Sequence, residues 1–179
     1  MQNNPMQQVR VLWAGLMGSV TMFGVICFIL PQQHGAAPPV MLIGIGVSAV
    51  FEAVFSFVLP AQGLKTGFRQ LELETVERPA AADESSMFGG APRMEKVIKH
   101  PGKAFKAGLM RYQTALILGA ALSEAVAING LVLHQLGFEP KEFLPFIAAG
   151  FVLIAIRYPR EERIIALVEG ATRARFPMG

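Results

Sequence analysis

Residues 113–133 read QTALILGAALSEAVAINGLVL, an apolar run that contains a single charged residue, Glu124. Three further apolar runs lie at residues 11–30, 40–59 and 143–156. A helix crosses the bilayer with about 20 apolar residues at ~1.5 Å rise per residue, and all but the last run reach that length. The sequence therefore predicts an all-α integral membrane protein.

The run at residues 143–156 is the shortest of the four, and a buried or re-entrant helix has a similar length. Arg157 and Tyr158 follow it directly, and both side chains are suited to reach the membrane–water interface from a short span. We therefore interpret it as a fourth transmembrane helix. Short loops at residues 31–39 and 134–142 then join the four spans into two antiparallel hairpins.

Composition and charge fit this interpretation. The chain is 53% hydrophobic and 16% charged, against roughly 45–50% and about 25% in soluble domains. Nine of the 16 Lys and Arg lie at residues 65–111 and five at residues 157–175, whereas Lys141 alone lies in a loop on the other side. Because positive residues stay in the cytoplasm, both termini and the central segment are predicted to be cytoplasmic, in a bacterial cytoplasmic membrane. No nucleic-acid partner is expected, since no reader motif is present.

The chain falls into four segments. They are a first hairpin, a connecting segment, a second hairpin and a tail, at residues 1–60, 61–110, 111–158 and 159–179. Within the connecting segment, residues 78–92 are rich in Pro, Gly, Ser and Ala, which predicts a partly disordered linker. Residues 93–111 alternate Lys with apolar side chains, which predicts two short helices on an anionic membrane surface, or a positive flank retained in the cytoplasm. The tail is predicted to be an amphipathic helix that packs on the central segment or on lipid headgroups.

Two carboxylates lie near the middle of predicted spans, Glu52 in the second and Glu124 in the third. An ionised carboxylate costs at least a few kcal/mol there, so each is expected to be protonated, paired, or turned towards a wet or protein-filled interior. Ser48 and Ser56 lie four residues before and after Glu52, on the same helix face, where their hydroxyls can bond the acid. Ser123 precedes Glu124. These five residues are the candidate ion-binding set.

The neutralisation of the two acids is left open by the sequence. Asn129 follows Glu124 by five residues, which places it ~140° round the helix and makes it a poor partner for that acid. No Lys or Arg lies at the depth of either acid, so protonation, a bound cation or a partner subunit must neutralise them. The alternative is purely structural, with each protonated acid forming a hydrogen bond between helices.

Small residues recur four positions apart in the predicted spans. These stripes consist of Ala14 and Gly18, Gly15 and Ser19, Gly44 and Ser48, and Ala115, Gly119 and Ser123. Small residues let helix backbones approach closely. The contacts are expected either within the chain, or with copies of it or other membrane subunits.

Residues 121–132, ALSEAVAINGLV, resemble the ion-carrying helix of the rotary ATP synthase proteolipid, subunit c. The resemblance implies that Glu124 carries a proton or a sodium ion. It also implies that the preceding span is the glycine-rich partner helix, in which the glycine series corresponds to Gly44, Gly46 and Ser48.

The chain departs from that family outside this helix. A connecting segment of about 50 residues replaces the short polar loop of the family. The Arg-Gln-Pro signature of that loop is matched only in part, by Lys99, His100 and Pro101. Two further spans flank the hairpin.

Other site classes are not supported by the residue pattern. The three histidines, His34, His100 and His134, are expected in loops on both sides of the membrane, and Cys27 is the single cysteine. No metal site, cofactor or internal disulfide is therefore predicted. The sequence contains no Ser–His–Asp arrangement and no phosphate-binding glycine loop, so the chain is not expected to be an enzyme.

The leading functional prediction is a non-catalytic structural or accessory subunit of a larger membrane complex, packed through its small-residue faces. The alternative is a proton- or sodium-translocating, subunit c-like protein. In that case Glu124 would release and rebind the ion, while Glu52 and Ser48 tune its affinity. The expected partners are the lipid bilayer and other membrane subunits or copies of the chain.

Overall fold

The structure, a computed structural model, describes residues 5–31, 37–69, 73–79 and 94–177. This part of the chain is mostly helical. Its elements in order are α1 (Pro5–Ile29), α2 (Pro39–Arg69), β1 (Thr75–Pro79), β2 (Met94–Ile98), α3 (Pro101–Gln135), α4 (Pro140–Ala155) and α5 (Glu161–Thr172).

The chain divides into two compact units. Unit 1 comprises Met1–Gly63 and Gln113–Pro159, and unit 2 comprises Leu64–Tyr112 and Arg160–Gly179. Unit 1 contains residues 1–60 and 113–158 of the two predicted hairpins, and unit 2 contains residues 64–110 of the connecting segment and 160–179 of the tail.

Three helices, α1, α2 and α3, are long and apolar enough to cross a membrane. This agrees with the predicted class of integral membrane protein. Helix α4 has 16 residues, about 24 Å at ~1.5 Å per residue, which is less than the roughly 30 Å of the hydrocarbon core. Its crossing of the membrane stays a prediction.

Helix α3 is the centre of unit 1, with 44% of its apolar window buried against 11% for α1 and 11% for α2. One core cluster joins Val20 of α1, Ala120 and Ala127 of α3 and Ile154 of α4. A second cluster contains Cys27, Leu133, Phe143 and Ile147. The first cluster pairs Val20 with Ala120, and the second pairs the later residues Cys27 and Leu133, so α1 and α3 run in the same direction.

Helices α3 and α4 touch through glycines. A Cβ atom on Gly150 would lie 2.7 Å from the Ser123 carbonyl oxygen and 2.8 Å from the Ala127 Cβ. A Cβ atom on Gly130 would lie 2.9 Å from the Phe143 carbonyl oxygen. The two backbones therefore approach as closely as small residues allow, and they run in opposite directions along the contact.

The turn between α3 and α4 is shorter than the predicted loop. Gly137 adopts a positive φ of 85° there, a conformation that favours glycine. At the start of α4 the Glu139 N–H donates to Glu142 Oε2 at 2.9 Å and the Glu142 N–H donates to the Glu139 carbonyl oxygen at 2.8 Å, so these two donors of the first turn are satisfied.

The prediction that His134 lies in a loop is wrong. It lies in the last turn of α3 and is 3% exposed, because α3 continues two residues further than expected. Its Nε2 lies 3.1 Å from the Leu30 carbonyl oxygen. That oxygen only accepts, so Nε2 is the donor, and it satisfies a carbonyl left free just beyond the end of α1.

Unit 2 contains a two-stranded antiparallel sheet, which the all-α prediction did not include. Strand β1 pairs with β2 in a register that places Thr75 opposite Ile98 and Glu77 opposite Lys96. Val97 also forms a parallel bridge with Arg175 of the tail.

The prediction of two short helices at residues 93–111 is wrong. Residues Met94–Ile98 alternate in exposure along a strand, and the helix that follows is the start of α3 at Pro101. Proline suits the first turn of a helix, where its missing N–H is not needed. The predicted linker at residues 78–92 lies outside the described residues except for its first two positions, which end β1.

The core of unit 2 holds the tail against the connecting segment. Val168 of α5 and Ala174 are buried with Phe68, Ile98 and Ala104. The tail thus forms the predicted amphipathic helix, with its apolar face on the central segment.

Candidate functional site

Three clusters of polar side chains lie among the described helices of unit 1. Each cluster joins a different set of helices: α1 with α3, α2 with α3, and α2 with both α3 and α4. Because unpaired polar groups are unfavourable in hydrocarbon, these clusters are the candidate functional sites of the chain.

The first cluster contains Glu124 of α3 and Ser19 of α1. The Ser19 hydroxyl contacts the Glu124 carboxyl and also lies 2.8 Å from the Leu16 carbonyl oxygen. A hydroxyl carries one proton and donates once, so it cannot serve both oxygens. The Ser19 hydroxyl therefore donates to one of these two oxygens at a time.

The second cluster contains Glu52 of α2. Asn129 Nδ2 of α3 donates to Glu52 Oε2 at 2.7 Å, and Ser48 Oγ donates to Glu52 Oε1 at 3.1 Å. The Ser48 contact is the one that the four-residue spacing predicts. Glu52 therefore accepts one hydrogen bond at each carboxyl oxygen, whereas Glu124 shares a hydroxyl that has another acceptor.

The two acids do not share a site. Glu124 contacts Ser19 of α1, whereas Glu52 bonds Asn129 of α3. The sequence did not show whether the two acids meet. Asn129, a poor partner for Glu124 on helix geometry, bonds Glu52 instead. The sequence pattern did not pair Ser19 with an acid. The pairing could have been inferred from its hydroxyl, which lies at a similar depth to Glu124 in a span parallel to α3.

The third cluster is centred on Arg157, just beyond α4. Its Nη2 donates to the Ser56 carbonyl oxygen at 2.8 Å. That carbonyl has no helical N–H partner, because the residue four positions later is Pro60, and proline lacks the donor. The guanidinium replaces the hydrogen bond that the proline removes from α2.

Further donors of Arg157 satisfy other groups. Nη1 donates to Ser123 Oγ at 2.7 Å and to the Leu153 carbonyl oxygen, and Nη2 also reaches Ser56 Oγ at 2.8 Å. The guanidinium carbon lies 4.5 Å from the centre of the Phe57 ring, within cation–π range. Arg157 thus connects three helices through groups on Ser56 and Ser123, two residues that are fully buried.

Gly119 makes room for this cluster. A Cβ atom there would lie 2.9 Å from Arg157 Nε and 3.2 Å from both Pro60 Cγ and the Ser56 carbonyl oxygen. The sequence predicted that Arg157 extends towards the membrane surface, and the structure turns it inwards. The signal was present in Pro60, because a proline within a long helix frees the carbonyl four residues before it.

The predicted ion-binding serines therefore have different partners. Ser48 bonds Glu52, whereas Ser56 donates to the Ala53 carbonyl oxygen and accepts from Arg157. Ser123 donates to the Gly119 carbonyl oxygen and accepts from Arg157. An ion-binding role of these residues stays a prediction.

The small-residue stripes also differ from one another. Ala115, Gly119 and Ser123 face the chain's own helices, with Ala115 9% and Ser123 0% exposed. Ala14, Gly18, Gly44 and Ser48 are exposed. Among the described residues, no atom lies within 4 Å of a Cβ built on Gly15, Gly18 or Gly44.

Aromatic residues join α1 to the end of α4. Trp13 Nε1 donates to the Ile154 carbonyl oxygen at 3.0 Å, and the Trp13 and Tyr158 rings meet edge to face at 5.1 Å. Within the part of the chain that the structure describes, no three His, Cys, Asp or Glu side chains gather in a way that would hold a metal ion.

Comparison with known proteins finds no match. No family model matches the chain, and no curated protein and no solved structure matches it.

Proposed function

We propose that this chain is a four-helix integral membrane protein of a bacterial cytoplasmic membrane that acts as a non-catalytic structural or accessory subunit of a larger complex. Its partners would be other membrane subunits or copies of the chain. Both termini would be cytoplasmic, as the distribution of Lys and Arg favours.

The observation that carries this proposal is the open small-residue face of α1. Ala14, Gly15 and Gly18 are exposed, and no atom of residues 5–31, 37–69, 73–79 or 94–177 occupies the space above the two glycines. A glycine within a helix costs about 1 kcal/mol relative to alanine. In lipid, such residues are favourable where another helix backbone packs on them, and the described helices of this chain leave that position open.

Gentle detergent extraction from native membranes tests the proposal. The tagged wild-type chain should bring down stoichiometric partners, and Gly18→Leu should lose them because the leucine fills the face. Gly63→Leu is the matched control. A Cβ on Gly63 also meets no described atom within 4 Å, but Gly63 does not belong to the small-residue stripes. A solitary wild-type monomer, or a Gly18→Leu variant that keeps its partners, would count against an accessory role.

The fourth span is tested separately by thiol labelling of intact cells. In a Cys27→Ser background, a cysteine at Lys141 should react with an impermeant maleimide added from outside. A cysteine at Arg163 should react only after the cells are opened. Reaction of both from the same side would show that α4 does not cross the membrane.

A second candidate function is ion translocation through Glu124, as in a subunit c-like proteolipid. The observation that favours it is the contact between the Ser19 hydroxyl of a neighbouring helix and the Glu124 carboxyl, since the same hydroxyl also has the Leu16 carbonyl oxygen as an acceptor. An acid whose hydrogen-bond partner can turn to another acceptor is suited to bind and release an ion when a wet path opens.

Dicyclohexylcarbodiimide, which labels protonated carboxyls in lipid, tests this candidate. Glu124 should be labelled, and sodium or high pH should protect it. Glu124→Gln should abolish ion flux in reconstituted vesicles while the chain still assembles. Normal flux in an assembled Glu124→Gln protein would exclude the carrier role.

A further inference from the structure

An apolar cleft of about 640 Å³ lies between α2 and α4 of unit 1, with α3 at its floor. Gly46 and Ala53 line it on α2, Val126 on α3, and Pro145 and Ala149 on α4. Every lining side chain is apolar, so the cleft offers no partner for a polar ligand. It fits hydrocarbon.

The height of the cleft is close to that of one lipid leaflet. Its lining on α2 extends from Ile43 to Ala53, about 15 Å at ~1.5 Å per residue, or half of the roughly 30 Å hydrocarbon core. An extended acyl chain of one leaflet spans the same half of the hydrocarbon core.

Helix spacing places one positive charge beyond the cleft on α4. Lys141 precedes Pro145 by four residues and Ala149 by eight, which places all three on one face of α4. It is the single Lys or Arg at residues 31–39 and 134–142. Its Nζ pairs with Glu139 at 2.7 Å, and both side chains are more than half exposed, so a lipid phosphate can compete for the ammonium.

We propose that this cleft binds one acyl chain of a phospholipid from the adjoining leaflet, with the phosphate of that lipid held by Lys141. The apolar lining binds the acyl chain, and the Lys141 ammonium binds the phosphate of the headgroup. This site does not depend on the subunit role proposed above, because it involves residues of this chain alone.

Photolabelling of the purified full chain in lipid vesicles tests the site. The probe is a phosphatidylglycerol with a diazirine in its acyl chain, and adducts are mapped by mass spectrometry of peptides. Adducts should concentrate on residues 43–53 and 145–149. Gly46→Leu should reduce them to the level of the α1 lipid face, because the leucine fills the cleft. Gly44→Leu is the matched control and should label like wild type, since Gly44 is on the same helix, is equally open and does not line the cleft.

The headgroup is tested with Lys141→Gln. Labelling by the phospholipid should fall about threefold, which corresponds to about 0.65 kcal/mol and lies within the range of an exposed ion pair. Labelling by a diacylglycerol with the same diazirine chain should not change. Equal labelling of Lys141→Gln and wild type by the phospholipid would overturn the assignment of the phosphate.

Two results would overturn the site itself. One is an even distribution of adducts over α1 and α2 that Gly46→Leu leaves unchanged. The other is disulfide-linked dimers of a Val47→Cys, Cys27→Ser chain in the same vesicles, which would assign the cleft to a second copy.

Discussion

The glycines of the α3–α4 contact and the α1 pair Gly15 and Gly18 have opposite surroundings, although both sets lie in apolar helices. A Cβ atom placed on Gly130 or Gly150 would lie less than 3 Å from a backbone atom of the facing helix. A Cβ atom placed on Gly15 or Gly18 would meet no atom of the described residues within 4 Å. A small-residue stripe therefore indicates a helix contact. Only the packing shows whether the second helix comes from the chain itself.

The largest effect is expected for Gly150→Leu. The new side chain would meet the backbone of α3 at Ser123 and Ala127, which cannot move aside as a side chain can, so the free energy of unfolding should fall by about 3 kcal/mol or more. Unfolding in denaturing detergent, followed by the fluorescence of the single tryptophan, measures it. Gly18→Leu should stay within about 0.5 kcal/mol of wild type. Equal effects of the two variants would remove the distinction between packed and open faces.

The next effect is expected at the Arg157 cluster, where α3 also packs tightly. Arg157→Met removes four hydrogen bonds, each worth about 0.6 kcal/mol on average in a membrane protein, so stability should fall by about 2 kcal/mol. The same unfolding assay measures the loss, and an unchanged stability would contradict the role of the guanidinium in joining the helices.

A double-mutant cycle with Pro60→Ala tests the origin of this effect. The alanine would supply the N–H that the Ser56 carbonyl lacks, so Arg157→Met should cost about 0.6 kcal/mol less in that background. Additive effects of the two changes would show that Arg157 does not replace the missing hydrogen bond.

A smaller effect is expected at Glu52. Asn129→Leu removes the hydrogen bond between α2 and α3 and should reduce stability by about 0.6 kcal/mol, or somewhat more if the freed carboxyl oxygen finds no other donor. Ser48→Ala, which removes a contact within α2, should cost less. The same unfolding assay on both variants shows whether the bond between α2 and α3 contributes more to stability than the bond within α2.

The smallest effect is expected in unit 2 at low pH. The hydrogen bond from Lys99, followed by the charges of Lys99 and His100, lowers the pKa of Glu74 from its ordinary value of 4.5. The stabilisation is therefore complete above that value and is lost as the pH falls through the lowered pKa. Both partners are exposed, so the change should be slight and weaker in high salt. Melting temperatures of wild type and Lys99→Gln should differ at neutral pH and converge in acid; a constant difference would contradict this.

Helix positions and membrane class were predictable because they depend on composition along the chain. The apolar runs at residues 40–59 and 113–133 lie within α2 and α3, and the run at residues 11–30 ends one residue beyond α1. The hydrogen bond between Ser48 and Glu52 was predictable for the same reason, since a four-residue spacing on one helix fixes the distance. The strand at Met94–Ile98 was not, because its pairing partners belong to a separate strand at Thr75–Pro79.

The amino-acid pattern alone specifies long apolar helices with two acids near the middle of their apolar runs, since helix length and hydropathy are local properties. The packing of the helices sets the partners: Glu124 contacts Ser19, Glu52 bonds Asn129 and Arg157 turns inwards to Ser56. A polar group in an apolar bundle takes whichever donor or acceptor lies within about 3 Å. That choice depends on how the helices are rotated and aligned against one another, which no single helix specifies.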